Sequence, residues 1–177
     1  MPYKIKFDRT KCISCGTCSI ACMDQCDKDV TTCSLHRVVH TFDDISDGKV
    51  NIYHISVGCM HCRDAACIKA CPRKCIERDL ESGLVKIDRK RCVGCKLCAK
   101  ACPLGAIGFD ADGKASKCDG CAERLKLGLT PACAKACQNH AITFEYVEEE
   151  KEAGGDMEDV NELAAILQRF RKSGEEI

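Results

Sequence analysis

The sequence predicts an α+β protein with two small pseudo-repeated modules and an amphipathic helix at the C terminus. Three observations lead to this prediction. Nineteen of the 177 residues are cysteine, whereas only five are phenylalanine, three are tyrosine and none is tryptophan. The cysteines fall into four similar groups, and the segments beside them repeat as well. After residue 147 an acidic stretch leads into a segment with helical periodicity.

The cysteine groups have the spacing of iron–sulfur ligands. The first and third groups, in residues 12–22 and 92–102, read C-x2-C-x2-C-x3-C. The second and fourth groups, in residues 59–71 and 118–137, are variants of this motif. In such a run three thiolates surround one face of a cubane cluster, and the fourth cysteine binds the other cluster of a pair. The four groups contain sixteen of the nineteen cysteines.

Disulfides and structural zinc are two other uses of so many cysteines. Disulfide scaffolds are typical of short secreted chains. Here residues 1–8 are charged and lack the apolar run of a signal peptide, and the number of cysteines is odd. Zinc sites are built from separate C-x2-C pairs, not from runs of three with a displaced fourth. Iron–sulfur clusters fit the spacing better, and they would also fill a core that has few large side chains.

The segments that flank the cysteines repeat in a fixed register. Residues 7–12 match residues 87–92, and both contain Asp-Arg followed by two further residues and the first cysteine of a group. After the fourth cysteine, a second match joins the segments 71–76, 102–107 and 137–142. Each unit is therefore predicted as a short strand, a cysteine loop, a short helix, a tight turn and a short strand.

Four such units predict two ferredoxin-like modules within residues 1–147, with clusters filling the core.

Three cysteines remain outside the four groups. Cys75 aligns with Ala106 and Ala141 of the sister units, and Cys26 has the same offset from the fourth cysteine of its own group. Cys33 lies in an insertion that has no counterpart. Free cysteine often behaves as a small apolar residue. We therefore interpret all three as thiols that do not bind a cluster.

The last segment, residues 148–177, contains ten acidic and four basic residues. We interpret it as an acidic linker followed by a docking helix. The helix carries apolar residues at intervals of three and four: Met157, Val160, Leu163, Ala164, Leu167 and Phe170. Packing of this face on its own chain and docking on a larger subunit both remain open. A membrane-surface helix fits less well, because the basic charge of the helix is confined to its last turn.

No catalytic site is predicted in this chain. The five histidines (His36, His40, His54, His61 and His140) are scattered, and a surface or supporting role is expected for His61 between two cysteines of the second group. Glycine-rich nucleotide motifs are missing from the sequence. Basic residues lie between cysteines and form no basic aromatic surface, so nucleic-acid binding is not expected. No apolar run approaches the roughly 18 residues of a membrane span, so direct membrane insertion is not expected.

Two features are expected to adjust cluster potentials. The third group is surrounded by Lys90, Arg91, Lys96 and Lys100, whose positive charge either favours the reduced cluster or simply forms a solvated face. The backbone amides of Gly16, Gly94 and Gly120 are expected to donate hydrogen bonds to sulfur.

Three segments resemble a known family: residues 59–72, residues 92–103, and residues 117–133 with the motif Lys-Cys-Asp-Gly-Cys at their start. The sequence is similar to the four-cluster iron–sulfur subunit of molybdenum or tungsten pterin oxidoreductases, found beside dimethyl sulfoxide, polysulfide and thiosulfate reductases and formate dehydrogenases. The resemblance extends from residue 3 to about 145. Met23 and Gln138 depart from it, because each replaces the proline expected after a fourth cysteine.

The resemblance implies four [4Fe–4S] clusters, with the first group paired to the fourth and the second to the third. This pairing implies an inner module at about 50–110 and an outer module that combines 1–49 with 111–147. The ligand sets that it implies are Cys12, Cys15, Cys18 and Cys137 (set 1); Cys22, Cys118, Cys121 and Cys133 (set 2); Cys59, Cys62, Cys67 and Cys102 (set 3); and Cys71, Cys92, Cys95 and Cys98 (set 4). No other metal ligand is implied.

The resemblance also implies a function in anaerobic electron transport. The protein would relay electrons to or from a larger molybdenum- or tungsten-pterin catalytic subunit, with a further redox subunit as a second candidate partner. The alternative is a free-standing polyferredoxin that carries electrons for hydrogenase or carbon monoxide dehydrogenase. A zinc-stapled structural protein is a third hypothesis. The cytoplasm is the expected location, although the export signal of a partner could carry the subunit across a membrane.

Overall fold

The computed structural model describes residues 2–27, 31 and 34–172, and it combines short helices with small sheets. Six α-helices lie in this part of the chain: α1 Thr17–Gln25, α2 Ala66–Lys69, α3 Leu97–Ala101, α4 Ala122–Lys126, α5 Ala132–Lys135 and α6 Met157–Lys172. The strands are β1 Tyr3–Phe7, β2 Arg37–Ser46, β3 Lys49–Gly58, β4 Ile76–Arg78, β5 Val85–Ile87, β6 Gly108–Phe109, β7 Ala115–Ser116, β8 Ile142–Tyr146 and β9 Gly154–Gly155. Single 3₁₀ turns lie at Arg9–Lys11 and Glu150–Glu152. The α+β prediction is confirmed.

Strand β1 lies between two strands from the C-terminal part of the chain. It pairs antiparallel with β8, with Phe7 opposite Ile142, and parallel with β9. Since β1 leads into the first cysteine group and β8 follows the fourth, this pairing brings the two groups to the same end of the sheet.

Two short hairpins connect the remaining cysteine groups. Strand β4 follows the second group and pairs antiparallel with β5, which leads into the third group. Strand β6 follows the third group and pairs with β7, which leads into the fourth. The β4–β5 pair also repeats a hydrogen bond of the β1–β8 pair: Asp88 N donates to Cys75 O at 2.7 Å, and Asp8 N donates to Ala141 O at 2.8 Å.

A long hairpin, β2–β3, fills the insertion after the first cysteine group. Its register runs from Arg37 opposite Gly58 to Ser46 opposite Lys49. The base is buried at Phe42 and Ile55, whereas the tip exposes Ile45. From the sequence this region is predicted only as an insertion. The module boundary expected between residues 49 and 50 falls at the start of β3, next to the turn of the hairpin. Cys33 lies outside the described residues.

Helix α6 packs on its own chain. Its side chains Val160, Leu163, Ala164, Leu167 and Phe170 are buried in the larger apolar core with residues of β1 and of the β2–β3 hairpin. The ring of Phe170 stacks on Phe42 with centroids 4.2 Å apart. The apolar face is therefore not exposed for docking on a larger subunit.

The end of the expected acidic linker is also packed. Ala153, Gly154 and Gly155 are buried, and Gly155 N donates to Met60 O at 2.7 Å. A Cβ atom on Gly154, which has a φ of +87°, would lie 2.2 Å from His61 O. Only glycine allows this approach, so the segment is held against the second cysteine group. Among the described helices, none has the length and apolar character needed to cross a membrane.

Candidate metal centres

Cysteines from different motifs line three separate cavities. The first cavity is lined by the four thiols of set 1, the second by those of set 3 and the third by those of set 4. In each case three cysteines come from one loop, and the fourth comes from a group distant in sequence. The strand pairings described above produce this meeting of distant motifs.

The thiols of set 2 also lie close together. Burial and the neighbouring Cys133 raise the pKa of Cys121, to about 11. Burial together with Cys133 and Cys59 raises the pKa of Cys118. The pKa of Cys22 is raised as well, by its hydrogen bond to Cys26, by burial, and by Cys118 and Cys133. The structure therefore brings together the cysteines of all four sets, while their use as ligands stays a prediction.

Burial and mutual repulsion act in the same direction in the other sets. Burial is the largest cause that raises the pKa of Cys62, to about 12, and the three other thiols of set 3 contribute to it. In sets 1 and 4, burial and neighbouring thiols of the same set raise the pKa of Cys12 and of Cys98. Four thiolates in one such site are stable only when cations neutralise them. Iron supplies this charge when the site is loaded, so the donor chemistry fits a metal cluster.

The spacing of the thiols distinguishes a cluster from a single ion. A zinc ion with four thiolates at about 2.3 Å would hold the sulfurs about 3.8 Å apart. Within the described part of the chain, Cys22, Cys26 and His36 are the only trio of candidate metal-binding side chains whose donor atoms all lie within 4.8 Å of one another. No three thiols of one set therefore lie as close together as a single zinc ion would hold them, whereas a cubane cluster binds its ligands farther apart.

Backbone amides donate to several of these sulfurs. Gly120 N lies 3.2 Å from Cys118 Sγ, as predicted. At Gly16 and Gly94 the structure shows a positive φ instead, which allows the sharp bend of the cysteine loop. Amides that the sequence analysis did not single out also donate to sulfur: His61 N, Ala106 N, Ala115 N and Ala141 N. Such bonds stabilise a thiolate and adjust the potential of a bound cluster.

A buried arginine lies between sets 1 and 2. Arg37 is 4% exposed and donates to the carbonyl and hydroxyl oxygens of Ser56 at 3.2 and 3.0 Å. Burial alone would lower its pKa, but the thiols of Cys133, Cys118, Cys18 and Cys22 raise it above the ordinary value. When these thiols are deprotonated, as in a loaded site, they would therefore balance the charge of Arg37. The burial of Arg37 is not predicted from the sequence, because one arginine at the start of a strand normally lies at the surface.

Two more cations lie beside sets 2 and 3. Lys117 is 7% exposed, and its ammonium donates to Val85 O at 2.5 Å and Cys118 O at 2.6 Å. Its charge opposes the effect of burial on the pKa of Cys67. Arg78 is half-buried and donates to Cys62 O at 2.5 Å and to three other carbonyls. The position of Lys117 directly before Cys118 was a signal in the sequence, whereas Arg78 had none.

His61 is fully buried, not at the surface. Its Nδ1 accepts a hydrogen bond from Val85 N at 2.9 Å. Burial, and then the charges of Lys117 and Arg78, hold its pKa well below the usual value. The ring is therefore neutral, and it connects the second cysteine group to strand β5.

The basic residues predicted around the third group are exposed. Lys90 and Lys100 face solvent, Lys96 lies 5.7 Å from the ring centroid of Phe109, and Arg91 forms an ion pair with Asp88. Solvent and salt screen exposed charges. We therefore expect these four residues to affect a cluster less than Arg37 and Lys117 do.

Comparison with known proteins is consistent with this geometry. Residues 50–147 match the family described as the 4Fe-4S dicluster domain. The sequence is 33% identical to the B subunit of the anaerobic dimethyl sulfoxide reductase of Escherichia coli (strain K12) over 164 residues, which cover 88% of this chain and 78% of that protein. It is 35% identical to the subunit of the same name in Haemophilus influenzae, with 83% and 75% covered. It is 32% identical to the thiosulfate reductase electron transfer subunit PhsB of Salmonella typhi, with 83% and 77% covered.

Proposed function

Because this protein belongs to the 4Fe-4S dicluster domain family, we propose that it is the electron-transfer iron–sulfur subunit of a reductase complex. It holds four [4Fe–4S] clusters and does not catalyse a reaction on its own. A bound cluster supplies a one-electron site whose potential depends on nearby charge, hydrogen bonds and solvent. The observation that carries the proposal is the meeting of four thiols from two distant motifs at each of four places.

The proposed ligands are the four sets named above. Each set takes three cysteines from one region and one from its partner group, so the first group pairs with the fourth and the second with the third. The equivalent hydrogen bonds of Asp8 and Asp88 support a pseudo-repeat of two ferredoxin-like modules. The inner module spans about 50–110, and the outer module combines 1–49 with 111–147.

The sets form a continuous series. Arg37 is shared by thiols of sets 1 and 2, and Cys59 of set 3 acts on the pKa of Cys118 in set 2. Thiols of sets 3 and 4 pack against the same small apolar core, which contains Ile76 and Val85. This supports an electron path in the order 1, 2, 3, 4.

The two ends of this series reach the surface. Cys15 of set 1 and Cys95 of set 4 are exposed. Beside them lie exposed apolar residues: Ile13 and Ile20 at set 1, Val93 and Leu97 at set 4. Apolar residues of this kind form the cores of protein interfaces. We propose that one end receives electrons and that the other passes them to a partner.

The larger partner is a catalytic subunit with a molybdenum or tungsten pterin, and a further redox subunit occupies the other end. The names of the relatives, the B subunit of a reductase and an electron transfer subunit, favour a complex over a free carrier. A free-standing polyferredoxin for hydrogenase or carbon monoxide dehydrogenase remains the second candidate. We place the complex in the cytoplasm unless a partner carries it out.

Native co-purification tests the proposed complex. The tagged protein, isolated without oxygen from its own host, is expected to bring down a larger subunit that contains molybdenum or tungsten by elemental analysis. Isolation of the protein always alone and monomeric would contradict the subunit assignment and favour the polyferredoxin.

Elemental analysis of the protein itself tests the cofactor. About sixteen irons and sixteen acid-labile sulfides per chain are expected, with EPR signals after reduction by dithionite. About twelve irons or fewer, or zinc without sulfide, would contradict four cubanes.

A further inference from the structure

Two cysteines outside the proposed ligand sets lie in contact with a ligand cysteine. The sulfur of Cys75, which is 3% exposed, lies 3.3 Å from the sulfur of Cys71. The sulfurs of Cys26 and Cys22 and a ring nitrogen of His36 lie within 4.8 Å of one another. Both pairs are free thiols, and 3.3 Å is longer than the roughly 2.05 Å of a disulfide bond.

The chain produces this contact twice by different local structures. After Cys71 the backbone makes a tight turn, in which Lys74 N donates to Cys71 O at 3.1 Å and Lys74 has a φ of +49°. The turn carries position 75 back to the sulfur. At Cys22 the helix α1 continues, and Cys26 N donates to Cys22 O at 3.1 Å. Side chains four residues apart on a helix are neighbours, so the thiols meet again.

The sister units supply a matched control within the same chain. Four residues after Cys102 stands Ala106, and four residues after Cys137 stands Ala141. Their backbone amides donate to the ligand sulfur at 3.4 and 3.2 Å. In these units the backbone of the position four residues after the ligand contacts the sulfur, and the side chain at that position is a methyl group where Cys26 and Cys75 have a thiol.

We propose that Cys26 and Cys75 are reserve ligands, each able to bind the iron otherwise held by the cysteine four residues before it. The inference rests on the proposed function, because it requires sets 2 and 4 to hold clusters. In the exchange the bond from iron to Cys71 sulfur breaks as the bond to Cys75 sulfur forms. The proton of the Cys75 thiol passes to the released Cys71 thiolate, and no oxidation state changes. Cys22 and Cys26 exchange in the same way.

The sulfur contact explains why such an exchange requires little movement. An iron bonded to Cys71 would lie close to the Cys75 sulfur, because the two sulfurs are 3.3 Å apart, so a side-chain adjustment would bring the second sulfur into bonding distance. The sulfurs of Cys22 and Cys26, which lie within 4.8 Å of each other, allow the same exchange. Cys102 and Cys137 have no second thiol at this position, so an iron that loses either of them has no replacement there.

Substitution of the ligands tests the proposal. The variants Cys71→Ala and Cys22→Ala, prepared without oxygen, are each expected to keep about sixteen irons per chain and no three-iron EPR signal. The double variants Cys71→Ala/Cys75→Ala and Cys22→Ala/Cys26→Ala are expected to fall below this number. The matched controls Cys102→Ala and Cys137→Ala are expected to fall below it as well. Cys75→Ala alone is expected to keep about sixteen irons, because Cys71 remains.

A variant in which a second thiol is introduced tests the same geometry. The double variant Cys102→Ala/Ala106→Cys is expected to recover the irons that Cys102→Ala loses. Failure to recover them would overturn the proposal. The Cys71→Ala variant would also overturn the proposal if it is insoluble, holds about twelve irons or shows a three-iron cluster. This comparison requires that the unsubstituted protein holds about sixteen irons. An unsubstituted protein with zinc or without clusters would instead overturn the proposed function.

Discussion

The two end sets and the two middle sets are built from the same cysteine motifs but have different surroundings. Sets 1 and 4 each contain an exposed cysteine, Cys15 or Cys95, beside exposed apolar residues. None of the cysteines in sets 2 and 3 is exposed. Their neighbours are buried or half-buried cations, Arg37, Arg78 and Lys117. The difference is consistent with the proposed function, in which sets 1 and 4 face the partners and sets 2 and 3 lie inside the protein.

The physical reason lies in the cost of buried charge. A cluster with four thiolates carries net negative charge, which is unfavourable in a water-poor interior unless cations lie nearby. At sets 1 and 4, water and exposed lysines stabilise this negative charge. Around sets 2 and 3, Arg37, Arg78 and Lys117 supply the positive charge, and Arg37 also acts on Cys18 of set 1.

The largest expected effect follows from removal of the buried cation between sets 1 and 2. Arg37→Met leaves the thiolates of Cys18 and Cys133 without the buried cation that interacts with both of them. We expect a loss of about 3 kcal/mol in the free energy of unfolding of the loaded protein, measured by anaerobic denaturation. Arg37→Lys, which keeps the charge, should recover part of this loss. If Arg37→Met is as stable as the exposed control Arg91→Met, the proposed difference between buried and exposed cations would be contradicted.

The next largest effect is expected at the apolar surfaces beside sets 1 and 4. Ile13→Asp and Val93→Asp place a charge in the apolar surfaces beside sets 1 and 4. Each is expected to weaken binding of one partner at least about tenfold, about 1.4 kcal/mol, with the iron content unchanged. Calorimetry with each purified partner measures this. Ile45→Asp at the hairpin tip is the control, because this residue is 77% exposed and distant in sequence from all cysteine groups. Equal losses from the control would contradict two specific docking surfaces.

An effect of at most the same size is expected on the potentials of the clusters in sets 2 and 3. Lys117→Met removes a cation that favours the reduced, more negative form, so the potentials of sets 2 and 3 should fall. A tenfold change in a one-electron equilibrium corresponds to about 60 mV, and we expect a shift of this order. An EPR-monitored redox titration measures it, with Lys117→Arg as the charge-keeping control.

The smallest effect is expected from the exposed cations. Lys100→Met should shift the potential of the set 4 cluster by less than about 20 mV in roughly 0.15 M salt, because solvent screens this side chain. A shift larger than that of Lys117→Met would reverse the proposed order of buried and exposed charge.

The cysteine loops could be predicted from the sequence because the spacing of the cysteines itself restricts the conformation of each loop. Strands β1, β5 and β8 follow from the repeat that aligns Phe7 with Ile87, and from the apolar residues beside the motifs. The burial of Arg37 could not be predicted, because it depends on thiols up to about a hundred residues away in sequence. The packing of α6 could not be decided either, since an apolar face at Leu167 fits its own core as well as a partner.

Cys26 and Cys75 show a similar limit of prediction from the sequence. The repeat aligns Cys75 with Ala106, and this alignment predicts a small side chain. It does not say that the position contacts a ligand sulfur. The contact depends on the turn after Cys71, which only the three-dimensional structure shows.

Diffraction from crystals of the loaded protein at the iron absorption edge tests the central claim most directly. Four separate groups of four irons are expected, in the order of sets 1, 2, 3 and 4, each bonded to three cysteines of one region and one of its partner group. Three groups, single metal ions, or clusters bound within one motif alone would contradict the proposed series of sites.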